Sequence, residues 1–261
     1  MITGTCRLCG QTAVLQDSHF LPRALYKVLR TDQPDGQTAV ITRDVALQTS
    51  RQVRDHLLCS SCEDLFNRSG ERWVLGQYYN GKTFILHDTL SSMTPVLHDG
   101  DVRCYAAAGN PHIDFASLAY FAISVFWRSA VHRWPVPGGR LVPIDLGSYE
   151  DELRLFLLGT AGFPSEAVII VCVTATPEPP LAAYAPLRGR EREYHYYRFT
   201  IPGMAFTLCI GRRIPAVVRK LCILRSPGNL IFMAQTDDTR ILGDIYRLAN
   251  KKQIARRIRS H

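Results

Sequence analysis

Two Cys-x-x-Cys pairs, Cys6 with Cys9 and Cys59 with Cys62, constrain this chain more than any other feature. Each pair offers two thiolates from one tight turn, and a tetrahedral zinc site takes four such ligands. Gly10, directly after the first pair, suits the left-handed backbone that such turns often need. If the four cysteines share one ion, the 49 residues between Cys9 and Cys59 must leave and return to the same point, so a segment is inserted between the knuckles. A closed four-thiolate site keeps no open position for water or substrate. It holds chain segments together, and the chemistry must lie in what those segments carry. Cys104, Cys172, Cys209 and Cys222 stand alone in apolar surroundings and read as buried free thiols.

The stretch from Met1 to Leu15 has no continuous apolar core of the kind an export signal needs. The most apolar run, Ile113 to Trp127, is shorter than the roughly 20 residues a membrane span requires. A cytoplasmic protein with no membrane partner is expected, and in a reducing compartment paired cysteines point to metal rather than disulfides.

The periodicities divide the chain into a small module, residues 1–80, and a mixed α/β domain, residues 81–261. In the module, Ala13 to Leu15 suits a strand, and Arg23 to Leu29 carries apolar residues at helical spacing. Residues 31–36 read as a loop, and 38–58 as a hairpin or long insertion. In the larger part, Asp114 is a plausible N-cap for an apolar helix running to about His132, and Ser148 with Asp151 approximates a capping box for a second helix. Strands are expected at Ala167–Val173, Tyr194–Ile201, Ala205–Ile210, Leu221–Leu224 and Leu230–Gln235, and a basic helix from about Asp238 to Arg259.

The chain has a net charge of +8, unevenly placed. Residues 1–80 carry 9 Lys+Arg against 8 Asp+Glu, residues 81–187 carry 6 against 10, and residues 188–261 carry 16 against 5. A basic end of this kind favours an acidic partner such as nucleic acid. Arg188, Arg190 and Arg192, followed by the Tyr194-His195-Tyr196-Tyr197 run, and the tail residues Lys251, Lys252, Arg256 and Arg257 are the candidate nucleic-acid contacts.

Between the knuckles lies Ser18-His19-Phe20-Leu21-Pro22, and the second knuckle reads Leu57-Leu58-Cys59-Ser60-Ser61-Cys62-Glu63-Asp64-Leu65-Phe66-Asn67. With these motifs, residues 5–75 resemble the HNH, or ββα-metal, endonucleases that carry a four-cysteine zinc, in particular a bacterial subgroup with a Ser-His-x-x-Pro signature and a Cys-x-x-Cys-Glu second knuckle. The resemblance implies an α+β protein with an N-terminal zinc-stabilised ββα-metal module followed by the mixed α/β domain. It implies an endonuclease that hydrolyses nucleic-acid phosphodiester bonds, DNA above all, and by association a role in defence against phage or foreign DNA.

Carried over position by position, His19 matches the general base, Glu63 a ligand of the catalytic ion, and Asn67, one helical turn later, a further ligand. Ser18 stands where the family has Asp or His, and Glu71 extends the stripe of Glu63 and Asn67. His56 falls near the family's middle Asn, which orients the base. Asp17 is expected on the opposite strand face. The implied ions are a structural Zn2+ and a catalytic Mg2+ or other divalent ion. Ser is a poorer ligand for a hard ion than a carboxylate. The alternative is therefore a catalytically inactive zinc module that binds nucleic acid or a protein partner, and homo-oligomers stay open.

Overall fold

The computed structural model describes residues 1–29, 38–41, 46–49, 52–79, 83–136, 139–177, 183–191 and 193–234. The described chain is mixed α+β, with a four-cysteine cluster near its N-terminus. The first part runs β1 (Ile2–Thr5), β2 (Thr12–His19), α1 (Arg23–Val28), β3 (Thr38–Ile41), β4 (Ala46–Thr49), β5 (Arg54–Cys59) and α2 (Ser60–Phe66). A π turn over Asn67–Glu71 leads into α3 (Arg72–Gly76). There follow β6 (Tyr78–Tyr79), β7 (Thr83–Phe84), α4 (Ile85–Ser92), β8 (Leu97–Asp99), β9 (Val102–Ala106) and α5 (Phe115–Val131). The last elements are β10 (Pro135–Val136), β11 (Gly139–Arg140), α6 (Tyr149–Leu157), β12 (Ala167–Thr174), β13 (Ala183–Arg190), β14 (His195–Ile201), β15 (Met204–Ile210), α7 (Ala216–Arg219) and β16 (Leu230–Ala234).

Strands β1, β2 and β5 form a three-stranded antiparallel sheet. The turn between β1 and β2 is the first knuckle, closed by Cys6 N–H on the Gln11 carbonyl and Gly10 N–H on the Cys6 carbonyl, each at 2.9 Å. Gly10 has φ +75°, the left-handed backbone expected there. Cys59 ends β5 and caps α2, so the second knuckle is the corner between strand and helix.

The larger sheet has the order β4-β3-β13-β14-β15-β12-β16-β9-β8. It is antiparallel except at β13–β3 and β12–β16. The 38–58 segment thus supplies a hairpin, β3–β4, that joins the edge of the larger sheet, and then β5 of the smaller one.

Helix α5 lies between the two parts. Asp114 caps it, accepting from Ser117 N–H at 2.9 Å. Phe121 and Phe126 meet Phe206 and Phe199 of the large sheet, with ring centroids 5.7 and 4.9 Å apart. On its other side Trp127 meets Phe66 edge-on at 6.2 Å. This two-sided burial explains why α5 is apolar almost all round. One continuous cluster of buried residues runs from Leu8 and Phe20 through α5 to β12, β15 and β16.

Several expectations change. Ser148 stands at the N-cap of α6 but in a helical rather than extended backbone conformation and makes no side-chain cap, so the capping box does not form. Instead Gly147, at φ +56°, opens a turn whose carbonyls at Leu146 and Gly147 receive the first N–H groups of α6. Leu221–Leu224 is not a strand. These residues form a turn after α7, with Leu221, Cys222 and Ile223 fully buried, so their apolar run reports burial rather than a ladder. Strands β13 and β14, which carry Arg188 and Arg198, lie in the interior of the large sheet. The helix expected at 238–259 lies outside the described residues. No helix among the described residues is long and apolar enough to cross a membrane.

Candidate active site and metal centre

The four knuckle thiols converge. The sulfurs of Cys6, Cys9, Cys59 and Cys62 all lie within 4.8 Å of one another, and Cys9 Sγ is 3.9 Å from Cys59 Sγ. A tetrahedral ion with Zn–S bonds of about 2.3 Å sets its sulfurs about 3.8 Å apart. Cys59 N–H donates to Cys6 Sγ at 3.3 Å. Burial raises the Cys6 thiol, but the N–H groups of Cys9, Cys59 and Leu8 outweigh it and hold the thiol below its ordinary value, whereas burial leaves the Cys9 and Cys62 thiols raised. All eight described cysteines are free thiols. The donor set and its spacing are compatible with a structural zinc.

Beside this cluster opens a cleft of about 440 Å³, lined by Gln16, Asp17, His19, Arg23, Gln52, Arg54, Ser60 and Glu63. His19 closes β2 and Glu63 sits in the first turn of α2, so the two knuckles bring together residues 44 apart in sequence. His19 Nε2 lies 2.7 Å from Gln52 Oε1. With the amide oxygen accepting, Nε2 carries the proton and Nδ1 keeps the lone pair that can take up another.

Glu63 is the unusual carboxylate. Its Oε1 is buried and has no hydrogen-bond partner among the described residues. Burial pushes its carboxyl above the ordinary value, against the pull of the Ser18 hydroxyl and the Arg128 guanidinium. Glu71 adds to the rise and His19 opposes it. Ser18 itself is buried, and its Oγ accepts from Leu58 N–H at 3.1 Å.

Not every candidate reaches the cleft. Asn67 is exposed at the start of the π turn and does not line it. Glu71 faces α5 instead, accepting from Arg128 Nη2 at 2.8 Å. For Glu71 the physical reason is the π turn, which breaks the 3.6-residue period after Asn67; Asn67 itself still bonds its N–H to the Glu63 carbonyl one helical turn back, but lies outside the cleft lining. His56 pairs with Asp17 across β5 and β2 but does not line the cleft, and Gln52 is the residue on the His19 ring. Asp17, expected to face away, lines the cleft and pairs with Arg54. The β2–β5 register shifts between Leu15 and Asp17, and such bulges re-aim side chains.

Arg128, near the C-terminal end of α5, ties that helix to the site. It is 2% exposed. Its Nη1 donates to the His19 carbonyl at 2.8 Å, its Nη2 to Glu71, and its guanidinium lies 5.3 Å from the centre of the Phe66 ring. A charge inside a largely apolar helix must be paired when it is buried, and that was the available signal. Arg23, Arg54 and Gln52 carry no motif that singles them out.

Among the basic candidates, Arg188 is exposed with Nη2 3.3 Å from the His195 ring. Arg190 belongs to β13 by its backbone. Arg192, Lys251, Lys252, Arg256 and Arg257 lie outside the described residues. Comparison of the chain with protein-family models, with curated proteins and with solved structures finds no match.

Proposed function

We propose that this chain is a metal-assisted phosphodiester hydrolase acting on nucleic acid, DNA above all, through an HNH-like site. The observation that carries the reading is the convergence of His19 and Glu63 on one open, polar cleft beside the four-cysteine cluster. His19 is the general base. Gln52 orients its ring by accepting from Nε2, leaving Nδ1 to take the proton of the attacking water. Arg128 fixes the backbone at His19 through its carbonyl.

A hard divalent ion fits Glu63. Its unpartnered buried oxygen is a free ligand position, and Mg2+ commonly binds through one or two carboxylates with water and substrate phosphate completing its shell. When bound, such an ion supplies charge stabilisation at the phosphate and leaving oxygen. Ser18 holds the Glu63 carboxylate in place rather than acting as a ligand itself, because its oxygen is already engaged. A zinc held by Cys6, Cys9, Cys59 and Cys62 would pin the strand carrying His19 against the helix carrying Glu63.

Plasmid nicking with Mg2+ or Mn2+ tests this. Wild type is expected to cut, and His19→Ala and Glu63→Gln to lose about 100-fold or more, the usual scale for removing a general base. Equal inactivity of wild type and both variants under all metals, with nucleic-acid binding retained, would leave the inactive zinc module as the reading.

A further inference from the structure

We infer that Arg23 and Arg54 are the anchor for the scissile phosphodiester, and that Asp17 competes with the substrate for Arg54. The inference rests on the hydrolase reading of the same cleft and places the substrate's backbone within it.

Four observations carry it. Arg23, from the start of α1, and Arg54, from the start of β5, line the same cleft as His19 and Glu63 although 31 residues separate them. Both side chains reach solvent, so their charges can meet an incoming anion without prior desolvation. Gln16 and Gln52 add amide groups to the same lining, as a polar phosphate site needs. Finally, Arg54 is held by the carboxylate of Asp17, and both side chains are about half exposed.

An exposed ion pair of this kind is weak. A phosphodiester offers the same guanidinium two acceptor oxygens in a geometry it can grip with paired donors. Substrate therefore displaces Asp17 from Arg54 at little cost. Before it arrives, the cleft carries two carboxylates against two guanidiniums, so it does not hold inorganic anions strongly. Once Arg54 swings to the phosphate, Arg23 and Arg54 bracket the diester beside His19, and Glu63 faces the same space. The recognised chemistry is the phosphodiester common to DNA and RNA, which inorganic phosphate shares only in part.

The test uses the full chain carrying His19→Ala, so that nothing is cut. Fluorescence anisotropy with labelled single-stranded DNA, duplex DNA and RNA oligonucleotides is followed against salt, with inorganic phosphate as competitor. Arg23→Gln and Arg54→Gln are each expected to weaken binding several-fold and to lower the slope of log affinity against log salt by about one. Asp17→Asn is expected to tighten binding, because it removes the competitor for Arg54. Zinc content and melting temperature, read in parallel, establish that each variant is folded. The polymer that shows these changes is the substrate class.

Undetectable oligonucleotide binding at low salt, unchanged slopes in both arginine variants, or weaker binding in Asp17→Asn would overturn the anchor. Should wild type cut nothing while the arginine variants still lower the slope, the hydrolase reading falls and with it the scissile role, and Arg23 and Arg54 stand only as a phosphodiester-binding pair. Should wild type cut while the slopes stay fixed, the anchor falls and the hydrolase reading stands.

Discussion

At the scale of single residues, Arg128 is where the site and the larger sheet meet. A guanidinium this deeply buried costs several kcal/mol of lost hydration, offset here by a carboxylate, two carbonyls, a hydroxyl and an aromatic face. Truncating it leaves Glu71 and the His19 carbonyl without their donor. Arg128→Ala is therefore expected to destabilise the protein by about 3 kcal/mol or more, read from the urea midpoint; a loss under about 1 kcal/mol would show the network to be incidental. Asp55 gives a second, pH-dependent case. Burial works against its charge, but the His132 ring at 2.9 Å, its own chain's His56 N–H and Arg140 outweigh that and hold its carboxyl below the ordinary value. A carboxyl depressed in the folded state stabilises the fold above its unfolded pKa, and that contribution is lost as pH falls through the folded value. The stability advantage of wild type over Asp55→Asn should thus be full near neutrality and shrink as pH falls below the ordinary carboxylate value. An advantage that did not change with pH would remove Asp55 from the account of acid stability.

At the scale of elements, the π turn decides which acidic residues can act. Glu63, in the regular helix before it, lines the cleft, and Glu71, at its far end, is turned to α5. Gly70 lets this turn approach α5 closely. A Cβ there would stand 2.7 Å from the Phe121 nitrogen and 3.0 Å from the Ser117 carbonyl, both backbone atoms that cannot swing aside. Gly70→Ala is expected to cost about 1–3 kcal/mol by overpacking. Gly76→Ala, at the end of α3 with open space at its Cβ, should be neutral or stabilise by up to about 1 kcal/mol. Thermal melts of the two variants side by side check the argument, since equal effects would mean that space at residue 70 does not matter. The knuckles belong to this scale too. Purified protein should carry one zinc per chain, and Cys62→Ser should lower both that content and the melting temperature. A metal-free wild type with an unchanged melt would refute the zinc assignment.

For the whole molecule, α5 and the β3–β4 hairpin decide how the parts respond together. α5 buries one side on the π turn and another on the large sheet, while the hairpin inserted between the knuckles joins that sheet's edge. Unfolding is expected as a single transition in which probes of Trp127 and of the cysteine cluster coincide; two separated transitions would divide the molecule after all. The basic charge also acquires structure. Arg219 and Arg225 of the basic C-terminal stretch both donate to the Ser165 carbonyl, so part of the charge there holds loops together. Arg23 and Arg54, from the nearly neutral first 80 residues, stand in the cleft instead.

The sequence by itself determined the features set by local chemistry. Two Cys-x-x-Cys turns can serve one ion, Asp114 can cap an apolar helix, and β-branched runs such as Ala167–Thr174 favour strands, because each depends on residues a few positions apart. His19 and Glu63 were candidates through the resemblance carried by Ser18-His19-Phe20-Leu21-Pro22 and by the Cys62-Glu63 step, and both line the cleft. The tertiary structure alone decided the rest of the cleft. Gln52, Arg54, Asp17 and Arg23 meet His19 only through a register shift in β2–β5 and the return of the chain after the insertion. Glu71 is kept from Glu63's face by a π turn that helical periodicity does not contain. Arg128 arrives from 109 residues away. Contacts between distant segments depend on how elements stack, and no local pattern of residues encodes that stacking.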